Sequence, residues 1–177
     1  MPLAIGAAIA ALGFALLALP GSDSGYWSGF FPGLAVVGLG LGISVAPLTI
    51  VVMAAVPANR AGLASGVNNS ASRVAMLMAV AIFGVVMFEI YSGHLEAALK
   101  SVALDDANRA LIASRMPELA GLQTPPALAA DLAAQLRSAV DDSFIAGFRA
   151  VALIAAAIAL LGAVVAALTI PPRAKKQ

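Results

Sequence analysis

The residues of this chain best able to do chemistry lie between Pro57 and Met87, in the string PANRAGLASGVNNSASRVAMLMAVAIFGVVM. At about 100° per residue, Ser65, Asn68, Asn69, Ser72 and Arg73 fall within one helical sector roughly 140° wide. Leu63, Val67, Val74, Leu77 and Ala81 cover the remainder. Hydroxyls, carboxamides and a guanidinium in a segment long enough to cross a bilayer form a candidate functional site, because polar groups at membrane depth line paths or pair with one another. Arg73 lies about 18 Å along the helix from Ala61, near the middle of the hydrocarbon. Unpaired there, it costs from ~3 to more than 10 kcal/mol. A carboxylate, backbone carbonyls or a water-filled cavity must offset it. The chain has no carboxylate at that depth, since Asp23 and Glu89 lie at span ends. Two readings stay open: a structural pairing or snorkelling of Arg73 toward an interface, and a wall of a substrate or proton path.

Other chemistries find no residues. There is no cysteine, so no disulfide framework or thiolate metal site exists, and the single histidine, His94, is a poor metal ligand on its own. No metal and no cofactor is expected. The string GLASG at Gly62 to Gly66 has the form of a nucleophile elbow, but Ser65 would need a preceding strand and a histidine within reach. An enzyme is not expected.

The elements that must position the stripe follow from composition. Over 177 residues, 62% are apolar and 11% charged, and the mean hydropathy is +0.99. These values belong to an integral membrane protein. The expected fold is all-α with four transmembrane helices at residues 3–19, 29–56, 60–88 and 144–170. An extracytoplasmic loop at 89–143 carries amphipathic helices, and a basic cytoplasmic tail follows at 171–177. The first run lacks the basic flank of a secretory leader, so it reads as a span that stays, and its abrupt start suggests the tail of something longer. Tyr26 and Trp27 read as an interfacial anchor before the second span.

Small residues recur four apart at Gly29 and Gly33, Gly38 and Gly42, and Gly62 and Gly66; Gly38, Gly42, Gly62 and Gly66 are the expected helix-packing positions. Pro47 predicts a kink near Ser44 to Pro47. The tight turn Pro57 to Arg60 makes the second and third spans antiparallel. In the loop, apolar spacing predicts amphipathic helices over His94 to Met116 and Ala127 to Val140, broken at Gly121 to Pro126. Asp142 and Ser143 read as a cap that starts the last span.

Charge sets the orientation. Arg60 and the tail residues Arg173, Lys175 and Lys176 lie on one side of a four-span arrangement, which the positive-inside rule makes cytoplasmic. Eight acidic and four basic residues between Glu89 and Ser143 leave the opposite loop at 4 − 8 = −4. Both termini are then cytoplasmic in a multi-pass cell-membrane protein. A net charge of +1 gives no reason to expect nucleic acid as a partner.

Taken together, the span GLAVVGLGLGISVAPLTIVVMAAVP, the turn with Arg60, the segment AGLASGVNNSASRVAMLMAVAIFGVV, the long loop and the entry DDSFIAGFRAVALIAAAIALLGAV resemble the C-terminal part of the fourteen-span drug:proton antiporters of the major facilitator superfamily. The resemblance covers nearly the whole chain and implies the last four of fourteen spans. It implies export of amphipathic cations, drugs or metabolites by alternating access, with protons moving the other way. Arg73 and its Asn and Ser neighbours match the polar segment of that family's penultimate span. Ala75, Met76 and Met78 depart from it, standing where relatives commonly carry glycines or smaller residues. The family's coupling carboxylates belong mostly to earlier spans. The expected protein is therefore a transporter fragment, not competent for transport alone. Its partners are the bilayer and the missing N-terminal spans or another membrane chain, with small-molecule substrate and proton only in an intact transporter. The alternative is an autonomous four-span accessory or scaffold protein; a small autonomous pump would need an acid inside a span.

Overall fold

A computed structural model describes residues 2–125 and 128–170. The expected tail at 171–177 and the start of the second amphipathic segment at Ala127 lie outside these residues. The described chain is helical throughout: α1 (Pro2–Leu17), a wide turn at Tyr26–Phe30, α2 (Phe31–Ala54), a 3-10 turn at Ala58–Arg60, α3 (Ala61–Leu99), α4 (Asp106–Arg115), a 3-10 segment at Met116–Gly121, and α5 (Ala130–Thr169).

Among the described residues, three helical segments are long and apolar enough to cross a membrane: Tyr26–Ala54, Ala58–Leu99 and Ala130–Thr169. The first apolar run forms a helix of 16 residues, about 24 Å at 1.5 Å per residue.

α3 and α5 are 39 and 40 residues long. At 1.5 Å per residue each runs about 60 Å, twice the ~30 Å hydrocarbon core. The first expected amphipathic helix is therefore divided. Its beginning, His94 to Leu99, prolongs α3; the chain breaks at residues 100–105, and α4 follows. Asp105 caps α4, its carboxylate accepting from the Asn108 backbone N–H at 3.0 Å.

Asp142 and Ser143 do not begin a helix, because α5 is already under way from Ala130. Ser143 Oγ instead donates to the Ala139 carbonyl at 2.6 Å, and Asp142 accepts from Ser22 Oγ at 2.5 Å. The reason is packing. Leu136 and Val140, four apart, must stay on one helical face to meet Tyr91, Leu95 and Leu99 of α3.

Those residues, with Ile112, Met116 and Leu122, form a buried core between the prolonged helices and the α4 region. The Tyr91 hydroxyl donates to the Leu119 carbonyl at 2.9 Å. Leu119 has φ 54° and ψ −126°, a left-handed conformation that costs a non-glycine residue about 1–3 kcal/mol. Arg137 pairs with Asp141 at 3.0 Å and donates to the Ala120 carbonyl at 3.4 Å. The C-terminal end of α3 is tied down by Arg109, which donates to the Leu99 carbonyl at 3.2 Å.

Within the apolar layer, α1 packs on both α2 and α5. Glycines make the first contact possible. A Cβ on Gly13 would come within 2.5 Å of the Val37 nitrogen, one on Gly33 within 2.8 Å of Leu17 Cδ2, and one on Gly40 would overlap the Ala10 nitrogen. Gly33 and Gly40, seven residues apart, thus form the α2 seam, whereas the expected pair Gly38 and Gly42 have nothing within 4 Å. The four-residue spacing identified a small-residue ridge but not the face that meets α1. Helix α2 continues unbroken through Pro47, and Ser44 Oγ donates to the Gly40 carbonyl at 2.9 Å.

Leu17, Ala18 and Ala152 form a second cluster with Phe14, Phe30, Val37 and Phe148 around them. α3 and α5 meet closely at Gly147, whose added Cβ would lie 2.7 Å from Met87 Sδ and 3.0 Å from the Met87 carbonyl oxygen. Beyond this crossing a cleft of about 550 Å3 separates α1, α3 and α5, with Phe14, Met78, Phe83 and Ile158 among its walls.

Candidate functional site

The polar stripe lies on the first four turns of α3, between the Ala58–Arg60 turn and the cleft. The structure divides it. Ser65 and Asn68 are half-buried, whereas Asn69, Ser72 and Arg73 are exposed. Ser72 uses its hydroxyl on its own helix, donating to the Asn68 carbonyl at 2.8 Å. That back-bond satisfies a donor that would otherwise face hydrocarbon, as serine commonly does inside spans.

Arg73 is different. Among the described residues the ion pair present is Arg137–Asp141, outside the apolar layer, and Arg73 has neither an ionic nor a hydrogen-bonding partner. Glu89, on the same helix, is 16 residues away, about 24 Å along the axis. Asp23 is in the connection after α1, and the remaining acids lie between Glu96 and Asp142, in or beside the cap that α4 forms with the prolonged parts of α3 and α5. Projected at 100° per residue, Arg73 lies between Gly62 and Gly66 on the wheel, with Asn69 and Ser70 flanking them. Gly62 and Gly66 have nothing within 4 Å of an added Cβ. The expected packing at these two glycines is therefore not made by any of the described residues, and a shallow groove runs beside them along Leu63, Val67 and Ala71.

No cluster of three or more His, Cys, Asp or Glu side chains that could hold a metal occurs among the described residues, and His94 is exposed on α3. One basic residue escaped the sequence reading. Arg149, inside the run assigned to the last span, donates from Nε to the Ala18 carbonyl at 2.8 Å and from a terminal nitrogen to the Pro20 carbonyl at 3.5 Å. It closes the open carbonyl end of α1, where a cation is favoured. The available signal was a lone arginine two turns into an otherwise apolar run.

A multidrug resistance protein (Stp) of Mycobacterium tuberculosis is 35% identical over 81 residues, covering 46% of this chain and 15% of the relative. A triacylglyceride transporter of Mycolicibacterium smegmatis is 36% identical over 83 residues, covering 47% of this chain and 15% of the relative. The chain is similar to transporters. Its matched stretch spans only 15% of the length of those relatives. No family model matches, and neither does any solved structure. The apolar helices and this partial homology together make it a multi-pass membrane protein related to transporters.

Proposed function

We propose that this chain supplies one part of a small-molecule efflux transporter of the major facilitator type and does not transport by itself. The observation that carries this reading is the partial homology to two transporters, joined to an α3 on which Gly62 and Gly66 meet no other described element and Arg73 has no partner among the described residues. Alternating access requires two bundles moving about a shared site. The apolar runs here have no acid to carry a proton across.

In this reading the chain crosses the membrane four times, with α1 as the shortest span. Both termini are cytoplasmic, and the α3–α4–α5 cap is extracytoplasmic. Substrate and protons pass only in the assembled transporter, where Ser65, Asn68 and Ser72 form one wall of the path and Asn69 and Arg73 stand at its edge, toward the neighbouring helix. Drugs and triacylglycerides, the words in the relatives' names, are the substrate classes to test. The chain holds no cofactor and catalyses no covalent chemistry. The alternative, an accessory or scaffold protein, uses the same exposed face for association alone.

Replacing the homologous segment of the mycobacterial multidrug resistance protein with this chain separates the two readings. The transporter reading expects the chimera to retain drug resistance and its Arg73→Ala variant to lose most of it at equal membrane abundance. Resistance indifferent to Arg73→Ala, Asn68→Ala and Asn69→Ala together would overturn the substrate-path assignment.

A further inference from the structure

We infer that the α3 face carrying Gly62, Gly66, Asn69, Ser70 and Arg73 is the seat of a second transmembrane helix that presents a carboxylate at the depth of Arg73. The inference deepens the proposed function by naming the chemistry of the absent neighbour, and it rests on that reading only in requiring a helix from outside these residues. Three observations converge.

The first is charge. Arg73 is exposed, it lies about 18 Å into α3, and its own chain offers it no acid. The bilayer midplane is roughly 15 Å from either interface. An arginine side chain reaches only about 6–7 Å. Snorkelling leaves roughly half the distance uncovered, so headgroup phosphates are a poor substitute for a partner inside the membrane.

The second is shape. On the helical wheel Arg73 projects between Gly62 and Gly66, and among the described residues no atom beyond the local helix backbone lies within 4 Å of where either Cβ would be. A helix resting there can bring its backbone close, as small-residue ridges allow. A short aspartate or glutamate can then reach the guanidinium in the bidentate geometry that arginine favours.

The third is the identity of the occupant. A second copy of this chain would bring another arginine to the seam, with its own acids at span ends or in the cap. Like charges at membrane depth repel, so self-association across this face is disfavoured. The complementary partner is an apolar helix with one acid near its middle.

The test uses the whole chain in bilayers at neutral pH with fluorescently labelled transmembrane peptides of about 20 leucine and alanine residues. One peptide carries a central aspartate, a second asparagine, a third lysine. Energy transfer should show the aspartate peptide associating about tenfold more tightly than the asparagine or lysine peptide. Arg73→Gln should abolish that preference, and Gly66→Leu should weaken the aspartate peptide's binding to the level of the lysine peptide. Arg73→Asp should reverse the order in favour of lysine, a rescue that no folding defect produces. An aspartate preference that survives Arg73→Gln, or no preference in the native chain, overturns the inference. The outcome is independent of the chimera: drug resistance without aspartate preference sinks the ion pair alone, and aspartate preference without resistance sinks the transport reading alone.

Discussion

Gly147 is the point at which α5 bears on α3, and substituting it tests whether that crossing fixes the two long helices. An added Cβ would lie 2.7 Å from Met87 Sδ, 3.3 Å from Met87 Cε and 3.0 Å from the Met87 carbonyl oxygen. The thioether can swing away at about 0.5–1.5 kcal/mol of rotamer strain. Alanine also returns about 0.8–1.0 kcal/mol of helix propensity relative to glycine. These terms nearly cancel, so Gly147→Ala should be close to neutral. Leucine presents its branched carbons to a backbone carbonyl that cannot move aside. Overpacking of this kind costs about 1–3 kcal/mol, and part of it should appear as separation of the helices. Gly162, on the same helix with nothing within 4 Å, is the control, and Gly162→Leu should be neutral or stabilising. Denaturant unfolding in bicelles, followed by circular dichroism, reads the stability. Because the chain has no cysteine, a pair introduced at Phe83 and Ile154, on two walls of the cleft, reads the separation through disulfide yield. Equal stability and equal yield for Gly147→Leu and Gly162→Leu would refute the crossing.

The cap gives further expectations. Tyr91→Phe leaves the Leu119 carbonyl without its donor and should destabilise the cap by about 1–2 kcal/mol in thermal melts. Burial raises the Tyr91 phenol above its ordinary value, with Arg137 opposing and Asp141 adding to the shift. The unfolded phenol therefore ionises first, so its contribution to cap stability is complete below about pH 10 and declines as pH rises through the folded value. Tyr91→Phe should remove that alkaline loss, and a melt series from pH 9 upward checks it. Arg149→Gln removes the cation from the open end of α1 and should loosen the Ala18–Pro20 connection, seen as faster proteolysis there. Asp105→Ala should cost α4 about 1 kcal/mol through the lost cap, measurable as faster amide exchange over Asn108 to Ile112.

The sequence showed the apolar runs because hydropathy changes sharply at their edges, and it showed the stripe because five polar residues recur at helical spacing. It did not show where helices end. At Glu89 the hydropathy falls while the helical period persists through Tyr91, Leu95 and Leu99. A span and its prolongation consequently read as two elements, although they are one helix. The same continuity turned the expected cap at Asp142 and Ser143 into the middle of α5. Small-residue spacing was visible in α2, but Gly33 and Gly40 were not separable from Gly38 and Gly42 without knowing which face α1 covers. Arg149 was obscured by its apolar neighbours, since hydrogen bonds to carbonyls more than a hundred residues away leave no local pattern. For Arg73 the need for a partner was legible, and the structure adds that its face is open.

Proton-gradient-driven dye efflux from vesicles containing this chain alone decides whether the chain transports by itself. Flux equal to that of empty vesicles is expected, with the chain inserted and helical by circular dichroism. Gradient-dependent flux above that background would contradict this expectation, because apolar helices without an acid inside their runs would then be sufficient to couple and translocate.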